Sequence, residues 1–235
     1  MIFLYFLFAI LIGYLLGAIP FGKIYVWYFR GKDIQEIGSG RTGGTNSLRA
    51  GGLTIGIMTA FSDVLKGLFA LFLVRLLFSG LVSAELLPWL EISAGIFSVI
   101  GHNWSVYVGF GGGAGTGPNV GWASAVFPPM FPIATAIMVG MLYFLGWASV
   151  ASMTMALIIP AVFLFIYIAG TWADLVPFTL AYVIGGIATS LIIAFSLRGN
   201  FVRLFKGEER IVGLRAKLRT KKEGGTTAGN IPSGS

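Results

Sequence analysis

Residues 53–78 read LTIGIMTAFSDVLKGLFALFLVRLLF, and this stretch decides the class of fold. The hydrocarbon core of a bilayer is about 30 Å thick, so a helix needs about 20 mostly apolar residues to cross it. The stretch is long enough, although it contains Asp63, Lys66 and Arg75. Ionisable side chains inside a span cost at least about 2.5–3.5 kcal/mol each, so we expect them to face protein rather than lipid. Residues 53–78 therefore predict a transmembrane helix within a bundle.

The composition extends this conclusion to the whole chain. Of 235 residues, 56% are hydrophobic and 11% are charged, whereas soluble domains carry about 25% charged residues. There is no Cys and only one His, which excludes disulfides, thiolate metal sites and relays of several histidines. The net charge of +7 indicates contact with anionic lipid headgroups rather than nucleic acid, because the basic residues flank apolar segments.

Seven apolar segments are candidate spans: 1–29, 53–78, 88–108, 118–127, 130–147, 149–170 and 175–197. The fourth is short and ends at Pro128 and Pro129, so six spans is the alternative. Seven of the 16 Lys and Arg precede residue 80, nine follow residue 197, and none lies between. Basic residues mark cytoplasmic loops, and an odd number of spans is needed to separate an outside N-terminus from a basic, cytoplasmic C-terminus. The sequence predicts an all-α, seven-span transmembrane helix bundle with the N-terminus outside and glycine-rich cytoplasmic loops.

This bundle is expected to occupy residues 1–205. Residues 206–235 are basic and then rich in Gly, Thr and Ser, which predicts a disordered cytoplasmic tail. Within it, residues 208–222 are expected to form a short helix on the membrane surface.

The predicted topology brings four polar segments to the cytoplasmic face: 30–52, 109–117, 146–149 and the residues after 197. The richest is 38–46, GSGRTGGTN, followed by Arg49. Closely spaced glycines allow backbone N–H groups to converge on an anion, and Arg49 could bind a phosphate through two hydrogen bonds. The alternative is an ordinary polar loop whose arginine serves the charge bias of the membrane.

Two further features remain open from the residues alone. Asp63 and Lys66 share one helix face, and we interpret them as a structural pair that supports a site. His102 precedes the glycine-rich loop 109–117, where it could be structural or functional; the loop lacks the lysine of a P-loop. Gly13 and Gly17, four residues apart, predict close helix packing.

Taken in order, the polar segments resemble motifs of the bacterial acyl-phosphate:glycerol-3-phosphate acyltransferase family of inner-membrane enzymes. Residues 18–22 are similar to its S-I-P-F-G, and 38–49 to its G-S-G-N-x-G-A-T-N-x-x-R. The matches continue with D-x-x-K-G at 63–67, G-H at 101–102, R-Y-V-S-L-A-S at 146–152 and H-R-E-N-I-x-R-L-x-x-G-x-E at 197–209. The resemblance covers roughly residues 10–210, with matched order and spacing.

The resemblance implies a multi-pass protein of the bacterial inner membrane that acts in phospholipid biosynthesis. Such an acyltransferase moves a fatty acyl group from acyl phosphate to glycerol 3-phosphate, giving lysophosphatidic acid and phosphate without metal or cofactor. Its partners would be these two substrates and membrane lipids, and not nucleic acid. The implied catalytic residues are Ser39, Arg49 and His102. The implied substrate-binding residues are Gly38, Gly40, Arg41, Thr45, Asn46, Lys66, Gly112, Gly113, Gly115, Ser149 and Asn200.

The chain departs from the family pattern at phosphate-binding positions. Two lysines of the glycine-rich motif are replaced by Gly111 and Ala114, a histidine by Leu197, and an asparagine by Arg41. We expect Arg41 to supply part of the lost positive charge. The alternatives are an acyltransferase with a less anionic acceptor and a non-catalytic homologue that binds lipid or a partner. A transporter is less consistent, because the ionisable residues cluster at one face.

Overall fold

The computed structural model describes residues 1–170 and 179–212, and this part of the chain is helical, as predicted. Its α-helices are α1 (Ile2–Ala18), α2 (Phe21–Arg30), α3 (Gly44–Gly51), α4 (Leu53–Phe78), α5 (Leu87–Asn103), α6 (Thr116–Val126), α7 (Met130–Phe144), α8 (Ala148–Ala169) and α9 (Leu180–Phe205). Pairing between extended residues within these ranges is limited to two isolated bridges, Ser105 with Gly111 and Trp147 with Ile211. Residues 171–178, where the predicted seventh segment begins, and 213–235 lie outside the described residues.

The outer surface and the helix lengths identify an integral membrane protein that crosses the bilayer more than once. Four stretches are long and apolar enough to span it: Ile2–Arg30, Leu53–Phe78, Ala148–Ala169 and Leu180–Phe205. Large apolar side chains such as Phe72, Leu76 and Phe165 are exposed on the outside of the bundle. This is the arrangement that lipid requires, because the solvent around the helices is itself apolar.

The first predicted segment, 1–29, is two helices separated at Ile19 and Pro20. Proline has no N–H group to continue the helix, and the carbonyl groups near the break find side-chain donors instead. Ser105 Oγ donates to the Ala18 carbonyl at 2.6 Å, and Lys66 Nζ donates to the Ile19 carbonyl at 3.0 Å. The break therefore gives Lys66 a partner inside the bundle.

Small residues allow the helices to approach closely, as the spacing of Gly13 and Gly17 predicted. A Cβ atom at Gly13 would overlap the backbone of Ala94 in α5, and one at Gly17 would overlap that of Ser98. In the same way, a Cβ at Gly67 of α4 would overlap the backbone of Pro118 in α6. The core is centred on α6, where the Trp122 ring lies edge-on to Phe163 of α8, with ring centroids 5.7 Å apart.

An ion pair joins the C-terminal part of α4 to the N-terminal part of α5; its carboxylate is buried and its guanidinium is partly exposed. Arg75 donates to both carboxylate oxygens of Glu91, at 2.6 and 3.0 Å, and the Tyr182 hydroxyl donates to Glu91 at 2.7 Å. Within an apolar bundle each of these charges needs a partner. Arg75 thus has a structural partner far from the polar loops.

Candidate functional site

A cleft of about 680 Å³ opens where the four polar segments meet. It is lined by parts of 38–49, 113–117, 148–149 and 200–210. Backbone hydrogen bonds hold these segments together: the Thr42 N–H donates to the Gly112 carbonyl at 3.3 Å, and the Val212 N–H to the Gly146 carbonyl at 2.8 Å. The four polar segments that the sequence analysis grouped together thus lie around one cleft.

Asn46 shapes the loop that precedes α3. Its Oδ1 accepts a hydrogen bond from the Ser39 N–H at 3.1 Å, and its Nδ2 donates to the carbonyls of Ile37 and Arg41, both at 2.9 Å. Gly38 has a φ of +59°, and a Cβ there would overlap Asn46 Oδ1. The side chain of Asn46 is thus used to fold the loop, which leaves the exposed Ser39 at the mouth of the cleft.

Three helices begin at the cleft, and each directs the N–H groups of its first turn toward it. These groups have no partner within the helix, and they carry a partial positive charge that favours anions. Thr45 lies in the first turn of α3, Thr116 opens α6, and Ser149 lies in the first turn of α8. The hydroxyls of Thr116 and Ser149 are more than nine-tenths buried, line the cleft and have no hydrogen-bond partner in the described chain. Such buried hydroxyls are suited to bind an anionic oxygen.

Two arginines add full positive charges. Arg41 Nη2 donates to the Ser196 carbonyl at 2.6 Å and to Asn200 Oδ1 at 3.0 Å, whereas its Nη1 is buried without a partner in residues 1–170 and 179–212. Arg49 forms no hydrogen bond or ion pair within those same ranges, and its side chain lines the cleft. Burial lowers the pKa of both guanidinium groups from their usual values, and the nearby cations Arg203 and Arg210 lower these pKa values further. Both groups remain charged, because the ordinary pKa of arginine is above 12.

The residues after α9 fold back over the mouth of the cleft. Glu209 accepts hydrogen bonds from Asn200 Nδ2 at 2.9 Å and from Arg203 Nε at 3.3 Å. Residues 208–212 are not helical, because Glu209 is held by α9 and Val212 by Gly146. This corrects the expectation of a surface helix over the first part of 208–222.

A second group of charges lies directly behind the cleft. Lys66 Nζ is 2.7 Å from Asp63 Oδ1, 2.7 Å from His102 Nδ1 and 3.0 Å from the Ile19 carbonyl. All three side chains are buried. Asp63 and His102 reach the wall of the cleft, and Lys66 does not.

The other half of the cleft is apolar and is formed by α4, α7 and α8. Its lining includes Ile57, Phe61, Val64, Phe131, Met138, Val139 and Met155. Phe61 and Val139 are 53% and 62% exposed on the outside of the bundle, so this half opens toward the surrounding lipid. In the described ranges, no group of three or more His, Cys, Asp and Glu is placed to hold a metal ion.

Comparison with known proteins identifies the family. The model of the family described as glycerol-3-phosphate acyltransferase matches residues 7–207. The chain belongs to the glycerol-3-phosphate acyltransferase family.

Glycerol-3-phosphate acyltransferase 5 of Dehalococcoides mccartyi is 36% identical over 140 residues, which cover 59% of this chain and 57% of that protein. The enzyme of Trichormus variabilis is 39% identical over 123 residues, covering 48% of this chain and 54% of that protein. The chain thus spans somewhat more than half the length of these curated relatives.

Two solved structures have the same fold. Both are of PlsY, an integral membrane glycerol 3-phosphate acyltransferase, and each is 30% identical to this chain. The glycerol 3-phosphate form has a TM-score of 0.74 and covers 91% of this chain and 98% of PlsY. The lysophosphatidic acid form has a TM-score of 0.71 and covers 88% and 95%. Similarity over nearly the whole of PlsY supports the same fold for this member of the family.

Of the residues that the sequence analysis assigned to the site, some line the cleft and others do not. Ten of them line the cleft: Gly38, Ser39, Arg41, Thr45, Asn46, Arg49, His102, Gly113, Ser149 and Asn200. Gly40, Lys66, Gly112 and Gly115 do not line it. Gly40 and Gly115 have φ values of +69° and +85°, so they serve the turns of the loops.

Sequence reasoning missed six polar lining residues: Thr116, Thr135, Ser152, Arg203, Glu209 and Arg210. Thr116 could have been found as the first residue of a helix after a glycine-rich loop. Glu209 is one of three acidic residues in the basic region after residue 197, and that contrast is its sequence signal.

Proposed function

We propose that this chain transfers a fatty acyl group from acyl phosphate to glycerol 3-phosphate, giving lysophosphatidic acid and phosphate. The observation that carries the proposal is one continuous cleft with a cationic, donor-rich end and an apolar end open to lipid. A phosphorylated lipid has the same two halves. Family membership and the two ligand forms of PlsY add support for this pair of substrate and product.

The polar end offers ligands for two phosphate groups. Arg49 and Ser39, at the mouth, are accessible to the water-soluble acceptor, glycerol 3-phosphate. Arg41 Nη1, Thr116 and Ser149 lie deeper, next to the apolar groove, where the phosphate of acyl phosphate would lie with its chain along α4 and α7. This arrangement brings the acceptor hydroxyl toward the acyl carbonyl carbon.

The chemistry needs positioning more than a side-chain nucleophile. The acceptor oxygen forms a bond to the carbonyl carbon, and the bond between that carbon and the phosphate oxygen breaks. The hydroxyl proton passes to the departing phosphate, which leaves as inorganic phosphate. The protein's contribution is to align the two substrates and to stabilise negative charge on the carbonyl oxygen in the tetrahedral intermediate.

We further propose that the chain crosses the bacterial inner membrane seven times, with the cleft at the cytoplasmic face. In this topology α1 and α2 form the first span and α4 to α9 the other six. The basic loops and the basic region after α9 lie at the cleft end of the bundle, which is the distribution expected of a cytoplasmic face. Because residues 206–212 pack against the bundle, we place the start of the separate tail at residue 213 rather than 206.

Two apolar lining residues favour a second candidate function, transfer to a less anionic acceptor. Ala114 and Leu197 lie in the wall of the polar end, where they replace cationic positions of the family pattern. An acceptor without a phosphate group would not need those charges. A comparison of acceptors separates the two candidates.

The test is release of phosphate from palmitoyl phosphate by the purified protein in lipid, with and without glycerol 3-phosphate. Release that depends on glycerol 3-phosphate and is lost in Arg49→Ala supports the main proposal. Arg198→Ala is the matched control, because Arg198 is an exposed cation of α9 that does not line the cleft. If glycerol or another neutral alcohol stimulates release and glycerol 3-phosphate does not, the second candidate function replaces the main proposal. Absence of release with every acceptor would exclude both.

A further inference from the structure

We infer that His102 binds substrate as a hydrogen-bond donor through Nε2–H, and that Lys66 and Asp63 lock its ring in this tautomer. The inference rests on the proposed function only for the identity of the bound atom, which is an anionic oxygen of acyl phosphate. The tautomer itself follows from the contacts of the side chains.

Lys66 uses its whole ammonium group inside the protein. The three neighbours of Nζ are the Ile19 carbonyl, the Asp63 carboxylate and His102 Nδ1, at 3.0, 2.7 and 2.7 Å. An ammonium group has three donors and no acceptor. Lys66 donates to the Ile19 carbonyl and to His102 Nδ1, and it forms an ion pair with Asp63. Lys66 does not line the cleft, which makes it a positioning residue.

These contacts allow one state of the imidazole. A charged Lys66 can only donate at 2.7 Å, so Nδ1 of His102 must accept and carries no proton. A doubly protonated ring would place a second positive charge beside the ammonium group in a buried site. The Asp63 carboxylate is 3.5 Å from Nδ1, which is too far to compete with Lys66 for the ring nitrogen. The proton of the neutral ring is therefore on Nε2.

The protonated nitrogen faces the cleft through a gap kept open by two glycines. A Cβ atom at Gly113 would overlap Nε2, and one at Gly43 would lie 3.8 Å from it. Nε2 has no hydrogen-bond partner in the described chain, and His102 contributes to the cleft wall. Gly43 caps α3, so the N–H groups at the start of that helix lie beside Nε2. A bound oxygen there would accept from the imidazole and from the backbone together.

This geometry gives His102 the opposite role to that of a general base. A base needs an unprotonated nitrogen toward substrate, but the unprotonated nitrogen here is turned inward to Lys66. As a donor, Nε2–H can stabilise a phosphate oxygen in the ground state or the carbonyl oxygen in the tetrahedral intermediate. The proton of the acceptor hydroxyl then goes to the departing phosphate and not to His102.

His102 is the only histidine of the chain, so its tautomer can be measured directly. We expect ¹⁵N NMR of the full chain, labelled with ¹⁵N-histidine in lipid nanodiscs, to show an unprotonated Nδ1 and a protonated Nε2 at neutral pH. Inorganic phosphate and palmitoyl phosphate should then shift the Nε2–H resonance. The double variant Asp63→Asn, Lys66→Met, which removes both charges together, should release the lock and give a mixture of tautomers. A wild-type ring that is protonated on Nδ1, or on both nitrogens, would overturn the inference whether or not the protein is active.

Two substitutions test the role in turnover. His102→Gln places an amide N–H near the position of Nε2, and we expect it to retain activity within about tenfold of wild type. His102→Leu has no donor and should lose about 100-fold or more, as for removal of one oxyanion donor. If His102→Leu raises KM, the bound oxygen belongs to the phosphate. If it lowers kcat, the bound oxygen is that of the carbonyl group. If His102→Gln, with wild-type thermal stability, is as inactive as His102→Leu and alters the pH profile, the residue is a base and the inference is wrong. If wild type itself has no turnover, the proposed function fails, whereas the NMR result still decides the tautomer.

Discussion

Arg41 provides the sharpest test of whether the cleft compensates for the missing cations of the family pattern. Its two contacts to α9 both use Nη2, which leaves the buried Nη1 to meet a ligand. A hydrogen bond to a charged group contributes about 1.5–3 kcal/mol, and each 1.36 kcal/mol is a factor of ten in rate. Loss of one such contact in Arg41→Ala should therefore reduce kcat/KM for palmitoyl phosphate by about 10- to 150-fold.

The effect on folding should be much smaller than the effect on activity. Arg41→Ala removes two hydrogen bonds to α9, but it also removes the cost of burying the guanidinium charge, and Asn200 keeps its hydrogen bond to Glu209. The two effects oppose each other, so we expect a net destabilisation of about 1 kcal/mol, the value typical of single substitutions. For a chain of this size that corresponds to a fall in Tm of about 2–4 °C. Arg41→Lys retains the charge but cannot contact α9 and the ligand together, so we expect an intermediate loss.

The assay is the release of phosphate in lipid at varied palmitoyl phosphate, with Tm measured on the same samples. Arg198→Ala removes an equal charge from the same end of the bundle. Its Nη1 binds the Phe195 carbonyl of its own helix at 3.0 Å, and its guanidinium stacks on the Phe195 ring. We expect this control to change kcat/KM by less than about twofold, since exposed charges contribute little. Equal losses in the two variants would refute a specific role for Arg41, as would an Arg41→Ala protein with wild-type kcat/KM.

Three further outcomes test the fold and its pH dependence. Gly67→Ala should lower the free energy of unfolding in detergent by about 1–3 kcal/mol, because its Cβ overlaps the backbone of Pro118. Gly140→Ala, with open space around it, should leave that energy unchanged or raise it, and equal effects would contradict the packing. Arg75→Met should destabilise by about 3 kcal/mol, because it leaves Glu91 buried without its cation; a thermal melt like that of wild type would show that the pair contributes nothing. The Gln35 N–H, and then Lys23, lower the pKa of Asp33, so its stabilisation is complete above the unfolded value of about 3.9 and is lost as the pH falls through the lower folded value. Asp33→Asn lacks this contribution at every pH, so its Tm should fall less than that of the wild type between pH 7 and pH 2. A pH profile of Tm identical to that of the wild type would exclude the contribution.

The spans and the polar segments could be read from the sequence because each depends on local composition. Residues 53–78 form α4 as predicted, since Gly52, with a φ of +93°, separates it from α3 and the run is apolar to its end. The break at Pro20 had a signal in the proline itself, but the apolar run on both sides concealed it. Helix α9 extends to Phe205, beyond the predicted end at 197, because its last turns contact the cleft rather than lipid.

The roles of individual side chains depended on contacts between distant segments. Asn46 and Lys66 are polar residues in promising motifs, and the sequence assigned both to substrate. Asn46 lines the cleft, but its side chain folds the loop through four backbone partners. Lys66 faces a carbonyl that only the break between α1 and α2 makes available. Neither contact follows from spacing along the chain, because each depends on where one helix lies against another.

The distribution of acidic partners explains why one end of the cleft is suited to anions. Lys66, Arg75 and Arg203 lie 2.7, 2.6 and 3.3 Å from the carboxylates of Asp63, Glu91 and Glu209, respectively. Each pair is close to neutral, so these cations add little net charge to the site. Arg41 and Arg49 have no carboxylate within 4 Å in the described chain, and both line the cleft. Since the proposed reaction brings two phosphate groups into that space, two unpaired arginines beside three helix N-termini balance their charge in the way that the missing lysines and histidine would otherwise have done.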